Sequence, residues 1–274
     1  MNVQMLPGTN HSRAIARSGV DWICVDTEHG NIDDGHMHEA VTAIAKEGVS
    51  PIVRIAANEA WMVKRTSAHL HFSLFINNFT DVSPGALDSG AHGIVVPLIY
   101  TVEDAKRLVS SAKFPPQGHR GFGSPLPLQC FNDEPMTYYL QHANASLLTI
   151  IQIETKSALE SVREIAAIPG VDCLLIGPFD LGNNIGRPIL GEMHQELKDA
   201  IEKIKEAAHA EGKKVGIYCN GGEQAKGYAD AGFDMISILT DQMAITAAFA
   251  QTLASANGSA PGTGDKSVKG YDGK

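Results

Sequence analysis

The stretch IIQIETKSALESVREIAAIPGVDCLLIGPFDL, residues 150–181, decides the reading of this chain. It opens with a β-branched, apolar run ending in Glu154. An amphipathic segment follows, then a Pro-Gly turn, and a second apolar run ends at Ile176 before Gly177-Pro178-Phe179-Asp180. Strand, helix and strand in that order form one βα unit of a parallel sheet. Neither run alternates polar with apolar residues, as expected of strands covered on both faces. Each places a carboxylate just past its C-terminal end, on the rim where α/β folds keep their chemistry.

Outward from this unit the same pattern repeats. Strands are expected at 21–26, 50–55, 93–98, 147–153, 172–176, 214–218 and 234–239, with Val3–Leu6 as a possible truncated first member. Met193, Leu197, Ile201 and Ile204 form an apolar stripe at helical spacing. Ser157 is read as the cap of a helix ending at Ile168, and Thr101 with Asp104 as a capping box. Eight βα units in 274 residues predict an α/β fold, a TIM (β/α)8 barrel, over residues 1–254. No GxGxxG follows a strand, which argues against a doubly wound sheet. Two stretches break the pattern. Residues 66–85 interrupt the helix after the third strand, an abnormal insertion with no helical period. Residues 255–274 are Gly, Ser, Lys and Asp with little apolar content and are expected to be a disordered tail.

Bulk properties narrow the function. A net charge of −9 leaves no basic face for nucleic acid. No apolar run is long enough to span a membrane. The four cysteines show no CxxC spacing and sit mainly in apolar runs, as buried thiols of a reducing compartment do. With no secretory signal at the start, a cytoplasmic location is expected.

The rim residues suggest the chemistry. Glu154 and Asp180 are hard oxygen ligands on neighbouring strand ends, suited to Mg²⁺, Mn²⁺ or Co²⁺. Gln152 lies two residues before Glu154 and projects to the same side. His29 follows the second strand beside Asp26, which could orient it as a general acid/base. Arg54 ends an otherwise apolar strand and calls for an anionic partner, favouring a substrate oxyanion. The loop from Gly118 to Ser124 could bring amides, and the Ser124 hydroxyl, to a substrate anion. The turn at Gly177–Asp180 offers amides, including that of Phe179, to a carboxylate. No lysine lies within a strand interior where a Schiff base would be desolvated, which tilts the mechanism toward a metal.

Together the motifs VDTEHG (25–30), PIVRIAANEAWMVKR (51–65), GAHGIVVPL (90–98), FPPQGHRGFGS (114–124), IIQIET (150–155) and IGPFDLGNNIG (176–186) resemble the HpcH/HpaI aldolase family. These are class II pyruvate aldolases, with 2,4-dihydroxyhept-2-ene-1,7-dioate aldolase a member. The resemblance runs over about residues 4 to 250, apart from the insertion. It implies that Glu154 and Asp180 bind the divalent metal and that His29, paired with Asp26, is the acid/base. Arg54 would steady an enolate oxygen, while Gln152 and the amides of Phe179 and Asp180 would meet a 2-oxo acid. It implies a homo-oligomer, trimer or hexamer, in which a neighbouring subunit helps close each site. The implied activity is metal-dependent cleavage of 4-hydroxy-2-oxo acids to pyruvate and an aldehyde. Oxaloacetate decarboxylation, as in a macrophomate-synthase-like branch, is the alternative within the same chemistry, and a barrel impaired by its insertion is another. Two departures stand out: the chain reads as shortened before its first strand, and deleting residues 66–85 restores one continuous helix, as a translated in-frame intron would.

Overall fold

The apolar runs become eight parallel strands in sequential order. The computed structural model describes residues 2–64, 86–131 and 134–258. The strands are β1 (Asn2–Gln4), β2 (Trp22–Asp26), β3 (Ser50–Arg54), β4 (Gly93–Val96), β5 (Leu148–Ile153), β6 (Cys173–Ile176), β7 (Lys214–Tyr218) and β8 (Met235–Ser237). A bridge between Val3 and Thr240, with the Val3 amide donating to the Leu239 carbonyl at 2.9 Å, joins last to first. The chain is a TIM-type α/β barrel. The region expected as a truncated first strand does form one, over Asn2–Gln4, and it pairs with β2.

Alternation along each strand partitions the core. Ile23, Val25, Val53, Ile151 and Ile153 face outward into the layer between sheet and helices, where the main core lies. Ile52, Val95, Ile150, Cys173 and Leu175 pack inside the barrel. Strands with apolar residues on both faces therefore need no polar alternation.

The helices are α1 (Thr9–Ala16), α2 (Asp34–Lys46), α3 (Ala60–Lys64), α4 (Val102–Ala112), α5 (Leu126–Cys130), α6 (Met136–Ser146), α7 (Lys156–Glu160), α8 (Val162–Ala166), α9 (Pro178–Asn184), α10 (Gln195–Ala210), α11 (Gly222–Asp230) and α12 (Asp241–Ala256). Thr101 and Asp104 form the expected capping box of α4, and Leu197, Ile201 and Ile204 bury the expected stripe of α10. The helix after β5 differs from expectation. Thr155, not Ser157, caps it: its hydroxyl accepts the Ala158 amide at 3.1 Å and donates to the Ile99 carbonyl at 2.7 Å. The first turns then break at Ser161, giving α7 and α8.

A 3₁₀ turn at Ala86–Ser89 packs against α2 and α3. The insertion at 66–85, and the continuity of the helix across it, lie outside the described residues. Of the expected tail, Ser255 and Ala256 instead complete α12, and the part from 259 onward lies outside the described residues. All four cysteines are buried as thiols. Among the described residues no helix is long and apolar enough to cross a membrane.

Candidate active site

The C-terminal ends of the strands converge on a cavity of about 230 Å³ whose lining includes Asp26, His29, Arg54, Gln152, Phe179 and Asp180. Strand register brings the first ion pair together. Asp26 and Arg54 are direct partners across β2 and β3. Arg54 Nε and Nη2 donate to the two Asp26 carboxylate oxygens at 2.9 and 2.6 Å. Arg54 Nε also lies 3.2 Å from Glu28 Oε2, and Nη1 reaches Gln152 Oε1 at 3.5 Å. Burial works against this guanidinium charge, yet the Asp26 and Glu28 carboxylates more than offset it and hold its pKa above the ordinary value. Glu28 is pushed the other way, its carboxyl raised chiefly by burial despite the pull of Arg54 and His29.

The expected pairing of Asp26 with the His29 imidazole is not what the register produces. Asp26 Oδ1 accepts the backbone amides of Glu28 and His29, at 3.1 and 3.3 Å, and spends the rest of its carboxylate on Arg54. The His29 ring faces Glu28 instead, with Nε2 3.7 Å from Oε2, and its side chain is 58% exposed at the mouth of the cavity. Gly30 makes this loop possible. A Cβ there would lie 2.2 Å from the Asp26 carbonyl and 3.1 Å from the Met5 backbone, so only glycine lets the loop pass.

Across the cavity β5 presents Gln152 in the lining and, one residue past its end, Glu154 on the same face but behind the lining, both buried. The Gln152 amide donates to Glu154 Oε2 through a short hydrogen bond. Oε1 accepts the Leu98 amide at 2.7 Å. Leu98 holds a left-handed backbone with φ of 53°, a conformation costly for a residue with a side chain, and so aims that N–H at the carboxylate. Burial raises the pKa of Glu154, and the nearby negative charge of Asp180 adds to the rise, while the bonds from Gln152 and Leu98 oppose it.

Asp180 sits in the first turn of α9, where the amides of Phe179 and Asp180 have no acceptor within the helix. Gly177, between β6 and α9, keeps the space over Glu154 open: a Cβ there would lie 2.8 Å from Glu154 Oε2 and 3.2 Å from Gln152 Nε2. Among the described residues, no three His, Cys, Asp or Glu side chains gather into a complete protein-ligand set. Two carboxylates beside a kept-open space suit an ion such as Mg²⁺, which takes one or two carboxylates and fills its octahedron with water and substrate oxygens.

Ser124 is not brought to this cavity. Its hydroxyl donates to the Asp88 carbonyl at 2.9 Å and accepts the Leu126 amide at 3.2 Å, fastening the glycine-rich loop to the 3₁₀ turn. Sequence reasoning missed Glu28, the Leu98 amide, Tyr218 and Ser237. Tyr218, at the end of β7, meets the Phe179 ring edge-on with centroids 6.2 Å apart. For Tyr218 and Ser237 the signal was available, since the strands at 214–218 and 234–239 were recognised and period-2 counting turns both inward. For Leu98 there was none, because a backbone amide has no residue type.

A profile of the HpcH/HpaI aldolase/citrate lyase family matches residues 5–248. A hydroxypyruvate/pyruvate aldolase of Rhizorhabdus wittichii is 32% identical over 252 residues, 92% of this chain and 91% of the relative. A 2-dehydro-3,6-dideoxy-6-sulfogluconate aldolase of Pseudomonas putida is 33% identical over 240 residues, 86% and 84% of the two chains. The crystal structure of an HpcH/HpaI aldolase/citrate lyase family protein from Burkholderia cenocepacia superposes with a TM-score of 0.77 at 30% identity, over 93% of this chain and 94% of that one.

Proposed function

The chain belongs to the HpcH/HpaI aldolase/citrate lyase family, and from that premise we propose that it is a divalent-metal-dependent aldolase cleaving 4-hydroxy-2-oxo acids to pyruvate, or a substituted pyruvate, and an aldehyde. The observation that carries this reading is the buried Glu154 carboxylate close under Gly177, where a Cβ would meet it, with the Asp180 charge near enough to act on it and Arg54 reaching Gln152 across the cavity. The named activities of the aldolase relatives support it.

Glu154 and Asp180 would hold the dication, whose chemistry when bound is Lewis-acid polarisation of the 2-oxo group. The chain's own residues supply the rest. The first-turn amides of Phe179 and Asp180 receive the substrate carboxylate. Arg54, locked by Asp26, places a fixed positive charge where the C2 oxygen gains electron density; such preorganised charge contributes on the order of a few kcal/mol to the barrier. His29 takes the proton of the C4 hydroxyl, directly or through water, and Glu28 steadies the imidazolium that results. The C3–C4 bond breaks, its electron pair passes to C3 and on to the C2 oxygen, and the aldehyde leaves through the mouth; the proton held on His29 then returns, directly or through water, to C3 to give pyruvate and restore the neutral imidazole. Asp26 then serves as the positioning residue of Arg54 rather than of His29.

The assembly is part of the reading. Of α12 only Asp241 is buried, while Met243, Ile245, Phe249 and Leu253 are exposed, the last two by 68% and 61%. An apolar helix so poorly covered by its own barrel fits packing against a second copy, in a homo-oligomer such as a trimer or hexamer.

The test is pyruvate release from a panel of 4-hydroxy-2-oxo acids of varied length, with Mg²⁺ or Mn²⁺ supplied. Turnover of at least one acid, lost on chelation and in Glu154→Ala, is the expected result. Silence across the panel, or turnover indifferent to chelation, contradicts the proposal.

A further inference from the structure

Below the charged rim the cavity has a second character. Its floor is made by Val3 of β1, Cys24 of β2, Leu175 of β6 and Ser237 of β8. No charged side chain belongs to this floor, and Cys24 is a neutral thiol, its pKa pushed up to about 12 by burial. Ser237 is 2% exposed, and its Oγ has no hydrogen-bond partner among the described residues. Its direction follows from β8: Met235 packs on the inner cluster and Ile236 on the outer one, so Ser237 faces the barrel interior beside Tyr218, its partner in register. A buried hydroxyl left unpaired in an apolar wall is costly, and natural interiors rarely keep one without a purpose.

The layout of the cavity says which part of a bound substrate would meet it. The carboxylate and C2 oxygen of a 2-oxo acid belong with the rim groups, Arg54, Gln152 and the first turn of α9, because the floor holds no positive charge to meet an anion. The aldehyde comes and goes at the mouth, where His29 and Phe179 are exposed. The direction left for the remaining substituent on C3 is inward, to the floor. There a methyl-derived hydrogen meets Val3 and Leu175, whereas a C3 hydroxyl meets Ser237.

Resting on the aldolase reading, we infer that Ser237 is a specificity-determining residue. Its hydroxyl pairs with a hydroxyl on C3 of the 2-oxo acid and so favours 3-hydroxy-2-oxo acids over unsubstituted pyruvate as the nucleophilic partner in aldol addition.

The test measures kcat/KM for hydroxypyruvate and for pyruvate with one common aldehyde, using the full chain with Mg²⁺. Ser237→Ala removes the oxygen at nearly constant volume. It lowers the hydroxypyruvate-to-pyruvate ratio about five- to tenfold, the weight of one neutral hydrogen bond, and leaves the pyruvate value within about twofold. Ser237→Thr, which keeps the hydroxyl, retains the preference. A ratio unchanged in Ser237→Ala, or both donors failing together, overturns the inference. If the wild type turns over neither donor, the aldolase reading is what fails. The ratio of calorimetric Kd values for the two acids, wild type against Ser237→Ala, then decides the role of Ser237 by the same criterion, and binding of neither acid overturns it.

Discussion

Replacing Arg54 by methionine separates what this residue does for the fold from what it does for the chemistry. In the wild type Asp26 is fully buried and its carboxylate accepts from Arg54 at 2.9 and 2.6 Å. Arg54→Met leaves that charge with only the Glu28 and His29 amides, at 3.1 and 3.3 Å. Breaking a buried pair by removing one partner costs about 3–5 kcal/mol. For a chain of this size that corresponds to a fall in Tm on the order of 6–20 °C. Adding Asp26→Asn removes the stranded charge while keeping an oxygen for the same two amides, so most of the lost stability returns. Activity does not return, because the fixed positive charge at the C2 oxygen is still missing; kcat stays down about 10²–10³-fold. Thermal unfolding and pyruvate release on the wild type, Arg54→Met and the double variant make the comparison. A double variant with near wild-type kcat would mean that Arg54 only neutralises Asp26. A single variant with unchanged Tm would mean that the pair does not carry the stability assigned to it.

Other expectations follow from the same geometry. Gly177→Ala is compatible with its backbone angles of −93° and 87°, but its Cβ would stand 2.8 Å from Glu154 Oε2. Overpacking of this kind costs about 1–3 kcal/mol, and metal affinity falls by more than stability does, as calorimetry beside thermal unfolding would register. Asp234 is pushed up by burial, but bonds from Lys214, the Val215 amide and His209 outweigh this and hold its carboxyl below the ordinary range. A depressed pKa stabilises above the unfolded value and is lost as pH falls through the folded one. Asp234→Asn should therefore lower stability at pH 7 by about 1 kcal/mol or less, since Lys214 and His209 are exposed, and the gap from wild type should close below about pH 4. Phe249→Asp on α12 should shift the light-scattering mass toward that of a monomer; an unchanged mass would place the oligomer contact elsewhere.

What could be read from the chain before its structure follows the reach of each signal. The barrel was legible because every strand repeats one local pattern, and local patterns are what periodicity records. That Gln152 and Glu154 project to one side was legible for the same reason, one near the end of β5 and the other just past it. Asp26 was assigned to His29 because the two are close in sequence. The register of β2 on β3 gives it to Arg54, 28 residues away, and nothing local encodes that choice. Thr155 displaces Ser157 as the cap because β5 ends just before it and the Ile99 carbonyl fixes its hydroxyl, again a contact from a distant segment. Ser124 stands away from the cavity because glycine-rich loops serve packing as readily as binding, and this one is tied to the Asp88 carbonyl. Ser237 could have been placed on the inner face by counting along its strand, but that its hydroxyl is left without a partner among the described residues depends on surroundings that only the folded barrel supplies.

The central claim is that Glu154 and Asp180 together hold the dication on which turnover depends. Calorimetric titration of the chain with Mn²⁺, with oxalate present as a mimic of the pyruvate enolate, tests it most directly. The account predicts one ion per chain, with binding lost in Glu154→Gln and in Asp180→Asn while both variants keep the wild-type fold by circular dichroism. Wild-type chain that takes up no ion, or variants that bind as tightly as the wild type, would contradict it.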